Sequence, residues 1–240
     1  MKIVTPALFL SLVIFLTVGG GVMAGQVEEV TYRTDPDLKG YLCRPEGNGP
    51  FPAAIFNHGG LGDIIGGAPE GTCEALAEAG FVGFSPIRRL TRSMRGHVGD
   101  VLAGLEYLRG LDQVDRNRVS MIGFSRGAAL TFMAASKEIS IKRAVIMASA
   151  FPPPRSGFTL KIADQVEVPV LLLVAENDTG SRKTRGQDTL AGMRRMEDAL
   201  TSAGNPPRLI VYPPYGNDGH EMFFEIGKYW SDVIDFISQP

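Results

Sequence analysis

A serine lies between two glycines in the pentapeptide Gly-Phe-Ser-Arg-Gly at positions 123–127. The run Val-Ser-Met-Ile, typical of a strand, precedes it, and the helix-forming residues Ala-Ala-Leu follow. This strand–turn–helix setting holds a nucleophilic serine on a sharp turn, with glycines where the two backbones approach too closely for side chains. A serine at a helix N-terminus also lies beside free main-chain N–H groups that can stabilise an oxyanion. We therefore predict that Ser125 is a nucleophile rather than a solvated turn residue.

A serine hydroxyl becomes an effective nucleophile only beside a base that a carboxylate orients. In the strand–turn–helix arrangement these groups follow one another in the order nucleophile, acid, base. The chain has three histidines, and only His220 follows Ser125. It lies in a polar, glycine-containing segment between the last predicted strand and the last predicted helix, and we predict that it is the base. His58 is predicted to be structural, and His97 to be solvated or capping.

The acid is expected at the end of the strand that lies between nucleophile and base along the chain. The apolar run at 170–175 is followed by Glu176, Asn177 and Asp178. Asp178 is the predicted acid, because Glu176 is expected to lie still within the strand end or the tight turn. Glu176 and Asp218 are the alternatives, and a carboxylate at a strand end can also serve only as a helix cap.

The segment Asn-His-Gly-Gly-Leu-Gly-Asp at 57–63 follows a short apolar strand and precedes the first predicted helix. A loop in this position normally supplies a main-chain N–H group to the oxyanion. Gly60 is the predicted donor, with Leu61 close behind, and Leu61 is also a candidate substrate contact. The main-chain N–H of Arg126 is the predicted second donor.

Two further segments contain candidate substrate contacts. Arg88 and Arg89 lie on a basic stretch at 85–100, and guanidinium groups beside a pocket can bind a substrate carboxylate bidentately. A solvated basic loop balanced by nearby acids is the favoured alternative. Phe151 follows a later strand and is a candidate for lining an acyl pocket, although aromatic residues in loops more often only pack.

Apolar runs typical of strands alternate with helical patterns along the chain. Runs at 27–33 and 40–45 predict two leading antiparallel strands, and the run at 168–175 is apolar throughout, as in a strand covered by helices on both faces. The alternation implies right-handed crossovers and an α/β fold. We expect a mostly parallel sheet of about eight strands with helices on both faces and no large lid domain. A closing helix is predicted over 221–237.

The first 24 residues have the pattern of a secretory signal peptide. Lys2 precedes an apolar stretch, and a small-x-small cleavage site ends at Ala24. An uncleaved membrane anchor is the alternative, but three glycines at 19–21 shorten the apolar stretch below the roughly 20 residues of a spanning helix. We predict cleavage near Ala24, contact with the membrane only during export, a periplasmic or secreted product, and a single domain over 25–240.

Composition restricts the partners. The chain has 24 Lys and Arg against 26 Asp and Glu, and this near-balance argues against a nucleic-acid partner. Three scattered histidines and two separated cysteines do not have the spacing of metal ligands. The first strand is followed by neither a P-loop nor a dinucleotide-binding glycine pattern, so no cofactor is expected.

Cys43 and Cys73 either close one disulfide or remain two buried thiols.

Four segments together carry a family resemblance: Asn-His-Gly-Gly, Gly-Phe-Ser-Arg-Gly, Ala-Glu-Asn-Asp and Gly-Asn-Asp-Gly-His-Glu-Met-Phe. Their order and spacing resemble the α/β-hydrolase superfamily over nearly all of the chain that follows the predicted signal peptide. The short, lidless build and the segment 100–127 are most similar to the dienelactone hydrolase family and its prolyl-oligopeptidase-like relatives. The enzyme that names this family uses a cysteine nucleophile, so Ser125 favours a general serine esterase over a dienelactone substrate.

The leading hypothesis is an exported serine hydrolase that acts on small-molecule esters or similar acyl compounds. One alternative is a small peptidase of the prolyl-oligopeptidase-like type. Another is a non-catalytic binding protein that retains the fold, against which the intact set of Ser125, Asp178 and His220 argues. The sequence leaves open whether the chain forms a homodimer.

Overall fold

The computed structural model describes residues 27–138, 140–153 and 156–240. Within these ranges eight strands form one sheet in the order β1-β2-β4-β3-β5-β6-β7-β8. The strands are β1 (Glu28–Thr34), β2 (Asp37–Cys43), β3 (Phe51–Asn57), β4 (Val82–Pro86), β5 (Val114–Phe124), β6 (Ala144–Met147), β7 (Val170–Ala175) and β8 (Arg208–Tyr212). β1 and β2 pair antiparallel, and β3 to β8 all run parallel. The predicted mostly parallel sheet of about eight strands is confirmed.

Helices cover both faces of the sheet. They are α1 (Pro69–Glu78), α2 (His97–Arg109), α3 (Arg126–Ala135), α4 (Thr189–Ser202) and α5 (Trp230–Ile237). One apolar core joins the sheet to α2, α3 and α4, and a second joins it to α1 and α5. Successive strand side chains alternate between the two, so Ile55 belongs to the first core and Phe56 to the second. Burial on both faces explains why β7 is apolar throughout.

The end of the chain differs from the prediction of one helix over 221–237. A short 3₁₀ helix spans Gly219–Phe223, and α5 begins only at Trp230. Gly227 lies in the break between them, where a residue without a side chain lowers the preference for helix. The break lets the Phe223 and Tyr229 rings pack edge to face with centroids 4.9 Å apart. This packing belongs to the core beneath α5.

Cys43 and Cys73 form a disulfide, which resolves the alternative that the sequence leaves open. Cys43 ends β2 and Cys73 lies in α1, with their Cα atoms 5.5 Å apart. Both side chains are fully buried. The bond closes a loop across 30 positions, and constraining the unfolded chain over such a loop typically contributes about 3 kcal/mol to stability.

The predicted signal peptide, residues 1–24, lies outside the described residues. Its cleavage near Ala24 and the export of the chain therefore stay predictions. Among the helices that the structure describes, none combines the length and the apolar character needed to cross a membrane.

Candidate active site

The order in which the chain visits the strands reverses at β3. β4 lies on one side of β3, whereas β5 to β8 follow in sequence on the other. The loops after β3 and β5 therefore diverge at the carboxyl ends of the strands, which is where ligands bind in open α/β sheets. Residues 58–66 follow β3, and Ser125 follows β5. The fold thus brings the two predicted catalytic segments to one crevice.

Ser125 occupies a strained turn between β5 and α3. Its φ and ψ are 53° and −116°, a region that costs a non-glycine residue about 1–3 kcal/mol. A Cβ at Gly123 would lie 2.5 Å from the carbonyl oxygen of Gly127, and a Cβ at Gly127 would overlap the carbonyl oxygen of Asn57. Glycine at both positions lets α3 start directly against the end of β3, and the turn leaves Ser125 facing the crevice.

His220 lies within hydrogen-bond distance of Ser125. Its Nε2 is 3.0 Å from Ser125 Oγ, and its Nδ1 is 2.8 Å from Asp178 Oδ2. The residue belongs to the 3₁₀ helix Gly219–Phe223, which lies within the polar segment between the last strand and the last helix. Its side chain is buried, and the imidazole packs on the rings of Phe124 and Phe224 with centroids 4.9 and 6.3 Å away. The imidazole is therefore held in place rather than mobile.

Among the three candidate acids, Asp178 is the one bonded to His220. It is 1 % exposed, and its carbonyl oxygen accepts a hydrogen bond from the Leu190 N–H near the start of α4. Glu176 is exposed just after β7. Asp218 caps the 3₁₀ helix through a hydrogen bond from the His220 N–H to its Oδ1. Ser125, His220 and Asp178 thus form one continuous chain of hydrogen bonds.

The loop after β3 is a tight turn that faces Ser125. The Gly59 N–H donates to the Gly66 carbonyl oxygen over 2.8 Å, which closes the loop at its base. Gly60 has a φ of +91°, in the left-handed region that favours glycine. Gly60 and Leu61 line the same pocket as Ser125, and within the described residues neither main-chain N–H has a hydrogen-bond acceptor. Arg126 is the first residue of α3, so its N–H also lacks a partner within the helix.

Arg88 does not contact the pocket, contrary to its prediction as a substrate contact. It is 5 % exposed, and its guanidinium donates to the main-chain carbonyl oxygens of His58, Gly59 and Gly60. His58 is buried beside it, as expected for a structural residue, and its Nδ1 lies 2.7 Å from the Gly59 carbonyl oxygen. Burial lowers the pKa of His58 to about 3, with a further contribution from the charge of Arg88, so this imidazole is neutral.

Arg89 is held in an ion pair and does not line the pocket, and His97 is buried rather than solvated, which corrects both predictions. Two guanidinium nitrogens of Arg89 donate to the carboxylate of Asp100 over 2.7 Å each. Asp100 is fully buried in the first turn of α2, and a buried carboxylate is stable only when it is paired. His97 is the first residue of α2, is 1 % exposed, and places its Nε2 2.9 Å from Thr91 Oγ1.

The pocket above Ser125 has a volume of about 880 Å³. Phe151, a predicted lining residue, instead packs edge to face on Phe158, beneath the guanidinium of Arg195. Its ring also fills the space left by Gly192 in α4, and this close packing draws it away from the crevice. The apolar part of the pocket is lined by Leu61, Ile64, Phe124, Pro152, Pro153 and Phe224.

The sequence also matches a known protein family. The sequence model of the dienelactone hydrolase family matches residues 87–221, more than half of the chain. The chain belongs to the dienelactone hydrolase family. The matched segment includes Ser125, Asp178 and His220.

One curated protein and several solved structures are similar to a larger part of the chain than the family model covers. A Methylorubrum extorquens protein that carries the provisional name carboxymethylenebutenolidase is 23% identical over 85% of this chain and 75% of its own length. A structure from Klebsiella pneumoniae, provisionally assigned as a dienelactone hydrolase, covers 91% of this chain and 100% of its own, with a TM-score of 0.69 and 18% identity. The Pyrococcus horikoshii acylaminoacyl peptidase covers 84% of this chain but only 39% of its own, with a TM-score of 0.68 and 19% identity.

Sequence reasoning missed the basic side of the pocket in this family member. Arg182, Lys183 and Arg185 line the pocket from the segment that follows Asp178, and the Arg126 side chain also lines it. The signal was present in the sequence, because Ser-Arg-Lys-Thr-Arg at 181–185 begins three positions after the predicted acid, Asp178.

These basic residues differ in their partners. Lys183 forms an ion pair with Glu221. The Arg126 guanidinium donates to the Arg92 carbonyl oxygen over 3.2 Å. Within the described ranges, no carboxylate lies within ion-pair distance of Arg126, Arg182 or Arg185. Burial lowers the pKa of Arg126, and the nearby charge of Arg185 lowers it further. In the same part of the chain, no group of three or more His, Cys, Asp or Glu side chains has an arrangement that could hold a metal ion.

Proposed function

We propose that this protein is a serine hydrolase of carboxylic esters that works through an acyl-enzyme. One observation carries the proposal: His220 lies 3.0 Å from Ser125 Oγ through Nε2 and 2.8 Å from Asp178 through Nδ1. This is the geometry in which a base removes the proton of a nucleophile while a carboxylate orients the base.

In the first half-reaction, Ser125 Oγ attacks the ester carbonyl carbon as His220 Nε2 takes the hydroxyl proton. The tetrahedral intermediate expels the alcohol, which receives that proton from His220, and an acyl ester on Ser125 remains. In the second half-reaction, a water molecule attacks this ester while His220 takes one of its protons. Collapse of the second intermediate releases the carboxylic acid, and His220 returns the proton to Ser125.

The surrounding groups stabilise charge as it develops. Asp178 holds the His220 Nδ1–H and favours the imidazolium that forms in each half-reaction. The main-chain N–H groups of Gly60 or Leu61 and of Arg126 are the proposed donors to the oxyanion. Removing one such donor in comparable enzymes costs about 3 kcal/mol of transition-state stabilisation.

The test compares esters with amides of the same acyl group. We expect the purified protein to hydrolyse p-nitrophenyl acetate and N-acetylalanine p-nitrophenyl ester, and to leave N-acetylalanine p-nitroanilide intact. The acylaminoacyl peptidase that shares the fold is more than twice as long as the segment it has in common with this chain. Turnover of the anilide at a rate close to that of the ester would instead favour the peptidase alternative.

The basic side of the pocket supports a preference for esters that carry a negative charge. Arg126, Arg182 and Arg185 line the pocket together with the apolar residues, and guanidinium groups bind carboxylates with strong, charge-assisted hydrogen bonds. The provisional name of the Methylorubrum relative also describes a cyclic ester that bears a carboxylate. We propose that a substrate carboxylate lies against this side of the pocket.

The preference can be measured with two esters of equal chain length. We expect kcat/KM for mono-p-nitrophenyl succinate to exceed that for p-nitrophenyl butyrate by about tenfold, a typical effect of one charge-assisted contact. Arg185→Met should reduce this ratio, and so should raising the ionic strength, because salt screens exposed charges. Arg118→Met, at an exposed position on the opposite end of β5, should leave the ratio unchanged. Equal rates for both esters in the native protein would contradict the proposal.

A further inference from the structure

Arg88 is a buried arginine whose guanidinium contacts main-chain carbonyl oxygens of the loop that carries the proposed oxyanion donors. Nη1 lies 2.5 Å from the His58 carbonyl oxygen, and Nη2 lies 3.2 and 3.3 Å from those of Gly59 and Gly60. These are three successive carbonyl groups of one loop. We propose that Arg88 is a positioning residue that aims the main-chain N–H groups of this loop at the oxyanion, an inference that rests on the proposed function.

Peptide geometry links these contacts to the pocket. Each carbonyl shares a planar, trans peptide unit with the N–H of the next residue, and the two groups point in opposite directions. A guanidinium that holds the carbonyl groups of Gly59 and Gly60 therefore directs the N–H groups of Gly60 and Leu61 the other way. Gly60 and Leu61 line the pocket beside Ser125, whereas Arg88 is buried and is not among the lining residues. The N–H groups of Gly60 and Leu61 thus face the crevice because the carbonyl groups of the same two peptide units, those of Gly59 and Gly60, face Arg88.

Two further features make the loop dependent on this side chain. The loop is closed at its base by the hydrogen bond from the Gly59 N–H to the Gly66 carbonyl oxygen. Gly60, with a φ of +91°, lacks the Cβ that would otherwise restrict its backbone. A peptide unit on either side of a glycine rotates readily unless a hydrogen bond holds it. Arg88 holds the unit that joins Gly60 to Leu61, and it shares the unit that joins Gly59 to Gly60 with His58, whose Nδ1 lies 2.7 Å from the Gly59 carbonyl oxygen.

The charge of Arg88 adds an electrostatic contribution. In the part of the chain that the structure describes, no carboxylate lies within ion-pair distance of Arg88, because Asp100 pairs with Arg89 and Arg33. Burial, with a smaller contribution from the charge of Arg126, lowers the pKa of Arg88 to about 9, so the group remains protonated at neutral pH. A positive charge buried behind the loop polarises its peptide units so that their N–H ends become better donors to an anion.

The experiment measures the use of the oxyanion donors rather than folding alone. An oxyester and its thionoester analogue differ in the carbonyl atom, and sulfur accepts hydrogen bonds weakly. The ratio of their kcat/KM values therefore reports the contribution of the donors. We expect Arg88→Met to lower kcat for the oxyester by about 10²-fold with KM nearly unchanged, in line with the loss of one oxyanion donor. The oxyester-to-thionoester ratio should fall with it.

Arg88→Lys provides the second variant in case Arg88→Met does not fold. Lysine keeps the buried charge and the side-chain stem, but one ammonium group cannot contact three carbonyl groups in the planar arrangement of a guanidinium. We expect a folded protein by circular dichroism, with kcat lowered by about tenfold and an intermediate ratio. Arg95→Met is the matched control, because Arg95 is exposed on the same basic segment.

The outcomes separate this inference from the proposed function. If the native protein hydrolyses esters and folded Arg88→Lys keeps both the native kcat and the native ratio, the positioning role is wrong and the function stands. If kcat falls while the ratio stays at the native value, Arg88 is merely structural. If the native protein hydrolyses no ester, the proposed function fails before Arg88 is tested.

Discussion

Substitution of Ser125 by alanine is expected to lower kcat for p-nitrophenyl acetate by at least about 10⁴-fold, since the acyl-enzyme route requires this hydroxyl. Labelling by a fluorophosphonate probe should be lost as well, because the probe bonds covalently to the same oxygen. The fold is expected to persist. The substitution should not change stability by relieving backbone strain, because alanine at position 125 needs the same positive φ as serine. Initial rates and intact-protein mass after labelling provide the two measurements.

A buried serine in β5, the strand that precedes Ser125, serves as the control. Ser120 is 2 % exposed in β5, and Ser120→Ala should keep both turnover and labelling. Full activity in Ser125→Ala would assign the chemistry to another group and defeat the proposed mechanism. If the native protein itself is inactive on a broad panel of esters but a ligand raises its Tm, the non-catalytic alternative is favoured.

The parts of the site that the sequence predicts are those with strong local signals. The turn at Ser125 could be predicted because Gly123 and Gly127 flank it within five residues of sequence, although the backbone that excludes a side chain at Gly127 belongs to the distant Asn57. The position of His220 could be predicted because the order of the groups along the chain leaves one histidine after the serine. The alternation of strands and helices likewise follows from the local apolar periodicity.

The arginines show why other parts could not be predicted. Arg88, Arg89 and Arg95 belong to one basic stretch and look equivalent in the sequence. Their roles diverge only in the folded chain, where the end of β4 directs Arg88 beneath the loop after β3 and Arg89 toward Asp100. Contacts of this kind join residues about 30 positions apart, as Arg88 and His58 do, and no periodic pattern marks them.

The same limit applies to the pocket. Arg185 and Phe224 reach one cavity from segments on either side of β8, and sequence spacing does not reveal that they meet. Phe151 shows the opposite error. It follows a strand at the active-site edge of the sheet, and this position led to the wrong prediction that its ring lines the pocket. The close approach of α4 at Gly192 accommodates its ring in the core instead. Long-range packing decides both cases.

Substitution of Asp178 by asparagine is expected to lower kcat by about 10⁴-fold while leaving the fold and KM largely intact. The carboxylate accepts the His220 Nδ1–H, so that Nε2 is free to take the proton of Ser125. An asparagine amide can instead donate to Nδ1, which stabilises the other tautomer and places a hydrogen on Nε2. It also removes the negative charge that favours the imidazolium, at a site that is 1 % exposed and therefore poorly screened by water.

The two alternative acids supply matched controls for this assignment. Glu176→Gln should keep native kcat, because Glu176 is exposed beyond the end of β7. Asp218→Asn should lower kcat by less than about tenfold, since asparagine caps a helix nearly as well as aspartate and the His220 N–H keeps an acceptor. A larger loss in Asp218→Asn than in Asp178→Asn would transfer the role of the acid to Asp218. That result would require the His220 imidazole to turn away from Asp178 during turnover, although the rings of Phe124 and Phe224 hold it there.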